Sequence, residues 1–351
     1  MNTLTARPEL LKQANLSQIR KAIIKRRTAT RGEIVADTHI SSTTVRSMLT
    51  EMLEHGEIQC VGFDESSGGR KAKRYQFRPD MYYGAAFCLR DHKVHALLIN
   101  VFEEIVETNI LEAADGDYKS VITGYLDQLI TKKNIKAIGI GVPGVVDGCS
   151  YYWKKNLEDE ELCRADIGEG LSEKYNIPVV LENDMNATAI GFGRCYVREF
   201  PEEMPEKTNM AYLHFEKGCV GAGFISEGRV IRGCNNFAGE LGLVPMENDL
   251  FLDEYMSGSP GDTKYIQTLI KTISWVCGIL NPQYVALGGP DLRKDCLGAI
   301  NDGISALLPA RMAAEILYAP DVWHDYYDGM ASITAAKMFD EVQFIKEQEK
   351  F

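Results

Sequence analysis

Val179-Val180-Leu181-Glu182-Asn183-Asp184-Met185-Asn186-Ala187-Thr188-Ala189 is the stretch on which the reading of this chain turns. Its β-branched start ends in three polar side chains, and a helix of small residues follows, so a strand hands over to a helix near residue 183. In an open α/β sheet, ligands bind beyond the carboxyl ends of the strands. Asn183 and Asp184 are therefore expected at the mouth of a cleft, where a carboxylate can accept from a ligand hydroxyl. The same two side chains also suit plain capping of the helix. The stretch by itself leaves both roles open.

Working outward, strands are expected over residues 84–89, 93–100 and about 104–111, then a helix over 118–132. Ala137-Ile138-Gly139-Ile140-Gly141-Val142-Pro143-Gly144-Val145-Val146-Asp147-Gly148 reads as a buried strand that runs into a Pro-Gly turn. Its glycines either let backbone approach a ligand or make a tight turn and no more. A second α/β unit begins near Met210. Strands at 212–215 and 222–226 are joined through 216–221, and 229–233 continues the sheet. Asn235-Asn236-Phe237-Ala238-Gly239-Glu240-Leu241-Gly242-Leu243 then sets Glu240 as one charge in a small, apolar frame. A helix over 263–280, a buried strand into Gly288-Gly289 and a final helix at about 330–346 complete an alternating pattern of strands and helices. That alternation places the fold in the α/β class.

A chain of 351 residues, 45% hydrophobic and 25% charged, can bury two or three substantial cores. No apolar run approaches the ~18 residues of a membrane span, and the basic, polar start lacks the apolar core of a signal peptide. A cytoplasmic protein with no membrane partner is expected. Nine cysteines, with no CxxC pair, suit reduced and mostly buried thiols better than a disulfide framework. The net charge of −12 conceals an asymmetry. Residues 1–80 hold 14 Lys/Arg against 9 Asp/Glu, and the remainder holds 24 against 41. A basic front on an acidic body is either a merely solvated basic face or the mark of a nucleic-acid partner.

The order of elements in that front favours the second. A helix is expected over 17–27, with Ile19, Ile23 and Ile24 on one face. A second opens with the capping box Thr30-Arg31-Gly32-Glu33. A third runs from Ser41 to Gly56, its apolar positions Val45, Met48, Leu49, Met52 and Leu53 at helical spacing. This leaves Ser42, Thr43, Arg46 and Ser47 outward, small polar groups and one Arg that can approach base edges in a major groove. Strands at 58–62 and 75–77 flank a basic tip that includes Gly68, Gly69, Arg70, Lys71, Lys73 and Arg74. Arg70 is placed to enter a minor groove, and Lys71, Lys73 and Arg74 to touch phosphates. Residues 1–80 thus read as a winged helix-turn-helix that binds double-stranded DNA, with a protein-binding winged helix as the other reading.

Gly139-Ile140-Gly141-Val142-Pro143-Gly144, Glu182-Asn183-Asp184-Met185-Asn186 and Ala238-Gly239-Glu240-Leu241-Gly242, in this order, resemble the ROK family, whose name joins repressors, open reading frames and sugar kinases. The resemblance covers nearly the whole chain. It implies a two-lobed sugar-kinase-like (actin-like ATPase/ribonuclease H-like) fold, one lobe from 82–190 plus 330–351 and the other from 191–329, behind the module at 1–80. That module resembles the one carried by the family's sugar-responsive repressors. In the family's kinases the residue matching Asp184 is the catalytic base, and those matching Asn183 and Glu240 contact sugar hydroxyls. Gly144, Asn183, Asp184 and Glu240 are accordingly the expected ligand contacts.

Departures from the family pattern qualify this. Where the kinases open with an Asp-x-Gly-Gly-Thr phosphate turn, this chain has Phe87-Cys88-Leu89-Arg90-Asp91. Where they carry a second Gly-Thr-Gly-like loop, it has Lys217-Gly218-Cys219-Val220-Gly221. Leu243 stands where many members carry a zinc-binding His, and residues 244–276 contain no cysteine. The expectation is a catalytically silent regulator, a homodimer or homotetramer with a sugar effector, no metal and no cofactor. The alternative is an ATP-dependent carbohydrate kinase with an appended DNA-binding module.

Overall fold

The structure, a computed structural model, describes residues 8–64, 71–153, 162–200, 207–247 and 250–339. The chain opens with α1 (Pro8–Arg26), β1 (Ala29–Thr30), α2 (Arg31–Thr38), α3 (Ser42–Glu54), β2 (Ile58–Phe63) and β3 (Lys73–Phe77). The expected capping box starts α2: Glu33 N donates to Thr30 Oγ1 at 3.3 Å, and Thr30 N donates to the Glu33 carboxylate at 2.7 Å. Ser41 caps α3, accepting from Thr44 N at 3.2 Å. Val45, Met48, Leu49 and Met52 are buried beneath α3, but Leu53 is left exposed. The first helix begins well before the expected residue 17. The two residues of β1, too few for a sequence signal, pair with β3 in an antiparallel sheet of order β1-β3-β2.

The first large sheet is built from β4 (Tyr83–Arg90), β5 (Lys93–Asn100), β6 (Ile105–Glu112), then α4 (Tyr118–Leu129) and β7 (Ile135–Val142). A small antiparallel sheet, β8 (Val145–Asp147), β9 (Ser150–Trp153) and β10 (Cys163–Asp166), interrupts it before α5 (Gly168–Tyr175), β11 (Val179–Asn183) and α6 (Asp184–Glu199). The second large sheet comes from β12 (Met210–Glu216), β13 (Cys219–Ser226), β14 (Arg229–Val230), α7 (Leu252–Ser257), α8 (Asp262–Leu280), β15 (Tyr284–Gly288), α9 (Leu297–Leu307) and β16 (Glu315–Ala319). Its order, β14-β13-β12-β15-β16, repeats that of the first, β6-β5-β4-β7-β11. In each, an antiparallel meander of three strands is extended on its first strand by two parallel ones. The fold is α/β with two mixed sheets.

Several boundaries differ from expectation. The link at 216–221 contracts to the two-residue turn Lys217-Gly218, because β12 runs through Glu216 and β13 starts at Cys219. Sheet pairing after β14 stops at Val230. The last helix, α10 (Val322–Lys337), begins earlier than residue 330 and lies on the first sheet, against β4, β5, β7 and β11. Residues 340–351 lie outside the described residues. Position 190, expected to end the first lobe, falls inside α6.

α6 and α10 lie against each other closely enough that glycine is required at their crossing. A Cβ at Gly191 would stand 1.8 Å from the carbonyl oxygen of Asp325, and one at Gly329 would stand 1.9 Å from that of Ala187. Gly139 and Gly141, read as either a backbone approach to a ligand or a tight turn, make room for Thr334 and Tyr326 of α10. The far end of α10 meets the N-terminal elements. Ser17 Oγ donates to the Phe339 carbonyl at 2.6 Å, and Phe339 packs edge-on against Phe77 and Tyr82 with centroids 5.9 and 6.2 Å away. One buried cluster accordingly runs from Ile19, Ile34 and Met52 to Ala137 and Met330.

Candidate functional site

A cleft of ≈ 1240 Å³ opens between the carboxyl ends of the two large sheets, and Gly144, Asn183, Asp184 and Glu240 all line it. The strand-to-helix step of the opening stretch explains their placement. β11 pairs in parallel with β7, setting Asn183 level with Val142 and so beside the Pro143-Gly144 turn. Asn183 does cap α6: its Oδ1 accepts from Met185 N and Asn186 N at 2.9 and 3.0 Å, while its Nδ2 donates to the Gly144 carbonyl at 3.1 Å. Capping thus holds the residue at the cleft wall, and the two roles left open by the sequence coexist.

Asp184 is 9% exposed, and one of its oxygens accepts from Met185 N at 2.9 Å. Burial pushes its carboxyl up to about 6, partly opposed by the nearby charge of Arg90. Burial also raises Glu240, helped by the negative charges of Asp184 and Asp253. Two desolvated carboxylates on one cleft repel each other, and hydroxyl donors from a ligand would relieve them. Asn186 is 4% exposed, lines the same cleft, and its Oδ1 has no hydrogen-bond partner.

Three features of the cleft escaped the sequence reading. Arg232, from the second half of the chain, pairs with the buried Glu182, whose other oxygen accepts from Asn186 Nδ2 at 3.1 Å. Asn236 Nδ2 donates to the Val146 carbonyl at 2.8 Å. At the far end, the Arg90 turn and the Lys217 turn are tied together: Arg90 Nη2 lies 2.6 Å from Glu216 and 2.7 Å from His214 Nε2, and Lys217 pairs with Asp91. Burial lowers His214, which keeps it neutral beside Arg90. A cation ending the otherwise buried strand β4 was the available signal for Arg90.

No zinc of the family type fits here. Leu243 lines the cleft and offers no donor atom, and the residues after it supply neither Cys nor His through residue 276.

On the N-terminal elements, Ser42, Thr43, Arg46 and Ser47 are exposed along the first turns of α3, and Lys71 and Lys73 are exposed before and at the start of β3. Gly69 and Arg70, like Gly68, lie outside the described residues. Arg74 is corrected. It donates to Asp64 at 2.8 Å, to the Thr28 carbonyl at 3.2 Å and to Glu33 at 3.4 Å, so its half-buried guanidinium fastens β3 to α2 and is engaged by these acids, not free for a phosphate. Its partners come from three separate segments, which no local pattern could have joined.

Residues 90–264 match the ROK family. Over that stretch the chain carries a ROK family domain. Among its relatives, the xylose repressor of Caldicellulosiruptor bescii is 28% identical over 244 residues, 66% of this chain and 59% of that protein. The xylose repressor of Bacillus subtilis is 25% identical over 249 residues, 68% and 62% respectively. This chain therefore spans about six-tenths of the length of these curated relatives. The crystal structure of a ROK family transcriptional regulator, a homologue of the E. coli MLC protein, superposes with a TM-score of 0.65 at 16% identity, covering 93% of this chain and 99% of that one. A putative N-acetylmannosamine kinase from Listeria monocytogenes superposes at 0.53 and 15% identity over 71% of this chain and 97% of its own. The sugar-kinase-like fold of the ROK family is thus established. Among the described residues, no helix is long and apolar enough to cross a membrane.

Proposed function

We propose that this protein is a sugar-responsive, DNA-binding transcriptional regulator of the cytoplasm, a repressor, whose kinase-like body binds its effector without phosphorylating it. Residues 1–80 are the winged helix-turn-helix, and the cleft lined by Gly144, Asn183, Asp184 and Glu240 receives a polyhydroxylated ligand. The observation that carries the reading is the tie between the Arg90 and Lys217 turns. These ion-paired side chains stand on the turns that match those where the family's kinases offer glycine-rich backbone amides and a hydroxyl to ATP phosphates. Relatives named as xylose repressors support the regulatory side.

A homodimer or homotetramer would set two winged helices on two half-sites of a palindromic operator. The effector shifts that arrangement only by binding two states unequally; moving a population from 1:99 to 99:1 takes about 5.5 kcal/mol of differential affinity. A band shift on the DNA upstream of the protein's own coding sequence tests the proposal, and no binding at low salt by purified protein would sink it. In the same assay Arg46→Ala should weaken specific binding by about 1–3 kcal/mol, the worth of one bidentate base contact. Lys71→Ala should weaken binding to all sequences alike and reduce the salt slope by about 1. If Arg46→Ala behaves as Lys71→Ala does, α3 is not the reading helix.

The raised Asp184 carboxyl is also what a general base working near neutrality would show. A carbohydrate kinase with an appended DNA-binding module is therefore the second reading. ATP-dependent phosphorylation over a sugar panel decides it: turnover abolished by Asp184→Asn would replace the first reading with the second.

A further inference from the structure

About three turns along α6 from Asp184, and away from the cleft, Cys195 faces the first turn of α10. Its Sγ lies 3.9 Å from His324 Nδ1, and the same nitrogen lies 3.8 Å from Asp325 Oδ1. One donor atom from each of the three residues lies within 4.8 Å of the other two. Tetrahedral zinc, with bonds of about 2.0–2.3 Å, spaces its ligand atoms roughly 3.5 Å apart, so the two pairs that share His324 Nδ1 need to contract by a few tenths of an ångström and the Cys195–Asp325 pair by at most about 1.3 Å.

Asp325 is 5% exposed, and its Oδ2 has no hydrogen-bond partner. A buried carboxylate left in that state is costly, and a cation supplies what it lacks. His324 is exposed, which gives an ion a path from solvent, and its backbone N–H is already capped by Asp321 at 3.0 Å, which fixes the residue. Arg194 and Arg198, the nearest cations, are each paired with Asp328.

We infer that Cys195, His324 and Asp325 form a zinc(II) site that joins α6 to α10, with a fourth position open to water. Binding forms Zn–S, Zn–N and Zn–O bonds and releases the Cys195 thiol proton to solvent, with no change of oxidation state. The site is chemically distinct from a cysteine-cluster zinc site and owes nothing to the cleft. It takes a borderline ion that accepts one sulfur, one nitrogen and one oxygen.

The test uses the full chain, stripped with a chelator and titrated with Co²⁺ and then Zn²⁺. The expected result is one Co²⁺ per chain with a thiolate-to-cobalt charge-transfer band that Zn²⁺ displaces. Cys195→Ser should abolish the band, and His324→Ala should weaken binding by about tenfold or more, since the ligands act as a set. Cys195 is only partly buried and serine is nearly isosteric, so loss of the band would not reflect unfolding; far-ultraviolet circular dichroism checks this. No band in the unmodified chain, a band that survives Cys195→Ser, or binding indifferent to His324→Ala would each overturn the site.

Discussion

Asp184→Asn yields a protein that is more stable than the parent at pH 8 and no longer answers to its sugar. Burial lifts the Asp184 carboxyl from 3.8 to about 6 in the folded chain. A carboxyl whose folded value lies above its unfolded one gives up protons more readily when the chain unfolds. Its contribution therefore falls as pH rises from about 4 through about 6, and above that the penalty is complete. The shift is worth about 3 kcal/mol, with one unit worth 1.36 kcal/mol. The amide carries no charge and escapes that penalty. Urea unfolding of both proteins should show a gap of about 3 kcal/mol at pH 8 that closes near pH 4. Equal stability at pH 8 would mean that Asp184 is compensated in a way the cleft does not reveal. Sugar binding should run the other way, because the ionised carboxylate is the stronger acceptor. Affinity in the parent should drop below pH 6, and the amide should bind weakly at every pH; a thermal-shift panel of sugars measures both. A stabilising substitution that destroys response is what a site held at the expense of stability should give.

Gly191→Val should cost more than any surface change, about 3 kcal/mol or above. The first atom added at Gly191 meets the carbonyl oxygen of Asp325 at 1.8 Å, and Gly329 makes the reciprocal contact with Ala187 at 1.9 Å. Both obstacles are backbone within helices, so neither can swing aside as a side-chain tip would. α6 and α10 must separate, and with them the layers that rest on each. Overpacking in a tight interior costs about 1–3 kcal/mol where side chains can give, and more where they cannot. Urea midpoints for Gly191→Ala and Gly191→Val should fall in that order. A valine variant as stable as the parent would show that the helices have slack.

The capped helices were legible because their signals are local. Thr30 with Glu33, Ser41 with Gly56, and Asn183 ahead of a small-residue helix each declare an end within a few residues. Asn183 and Asp184 were legible for a similar reason, as polar residues where a buried strand hands over to a helix, whereas Gly144 and Glu240 entered as ligand contacts through the family resemblance. The rest was written in contacts between distant segments. Arg74 looks like a solvent-facing cation until Asp64, Thr28 and Glu33 are brought around it. Trp323, His324, Asp325, Tyr326 and Tyr327 mix polar and aromatic residues without an apolar stripe, which hid the first turns of α10. Gly139 and Gly141, which the sequence left open between a ligand approach and a tight turn, accommodate that same helix. The repeated strand order of the two sheets leaves no trace in sequence at all, since topology is conserved by pairing and not by residue identity.

α10 has a mechanical consequence. It is a stiff rod, touched near its start by Arg90, whose guanidinium lies 5.6 Å from the Trp323 ring and which also lines the cleft. Its middle is pressed against α6 at Gly329, and just past its end Phe339 is gripped by Ser17, Phe77 and Tyr82. One continuous helix, seated on the first sheet along its length, therefore reaches from the rim of the cleft to the N-terminal elements, and neither end can shift without loading the glycine crossing between them.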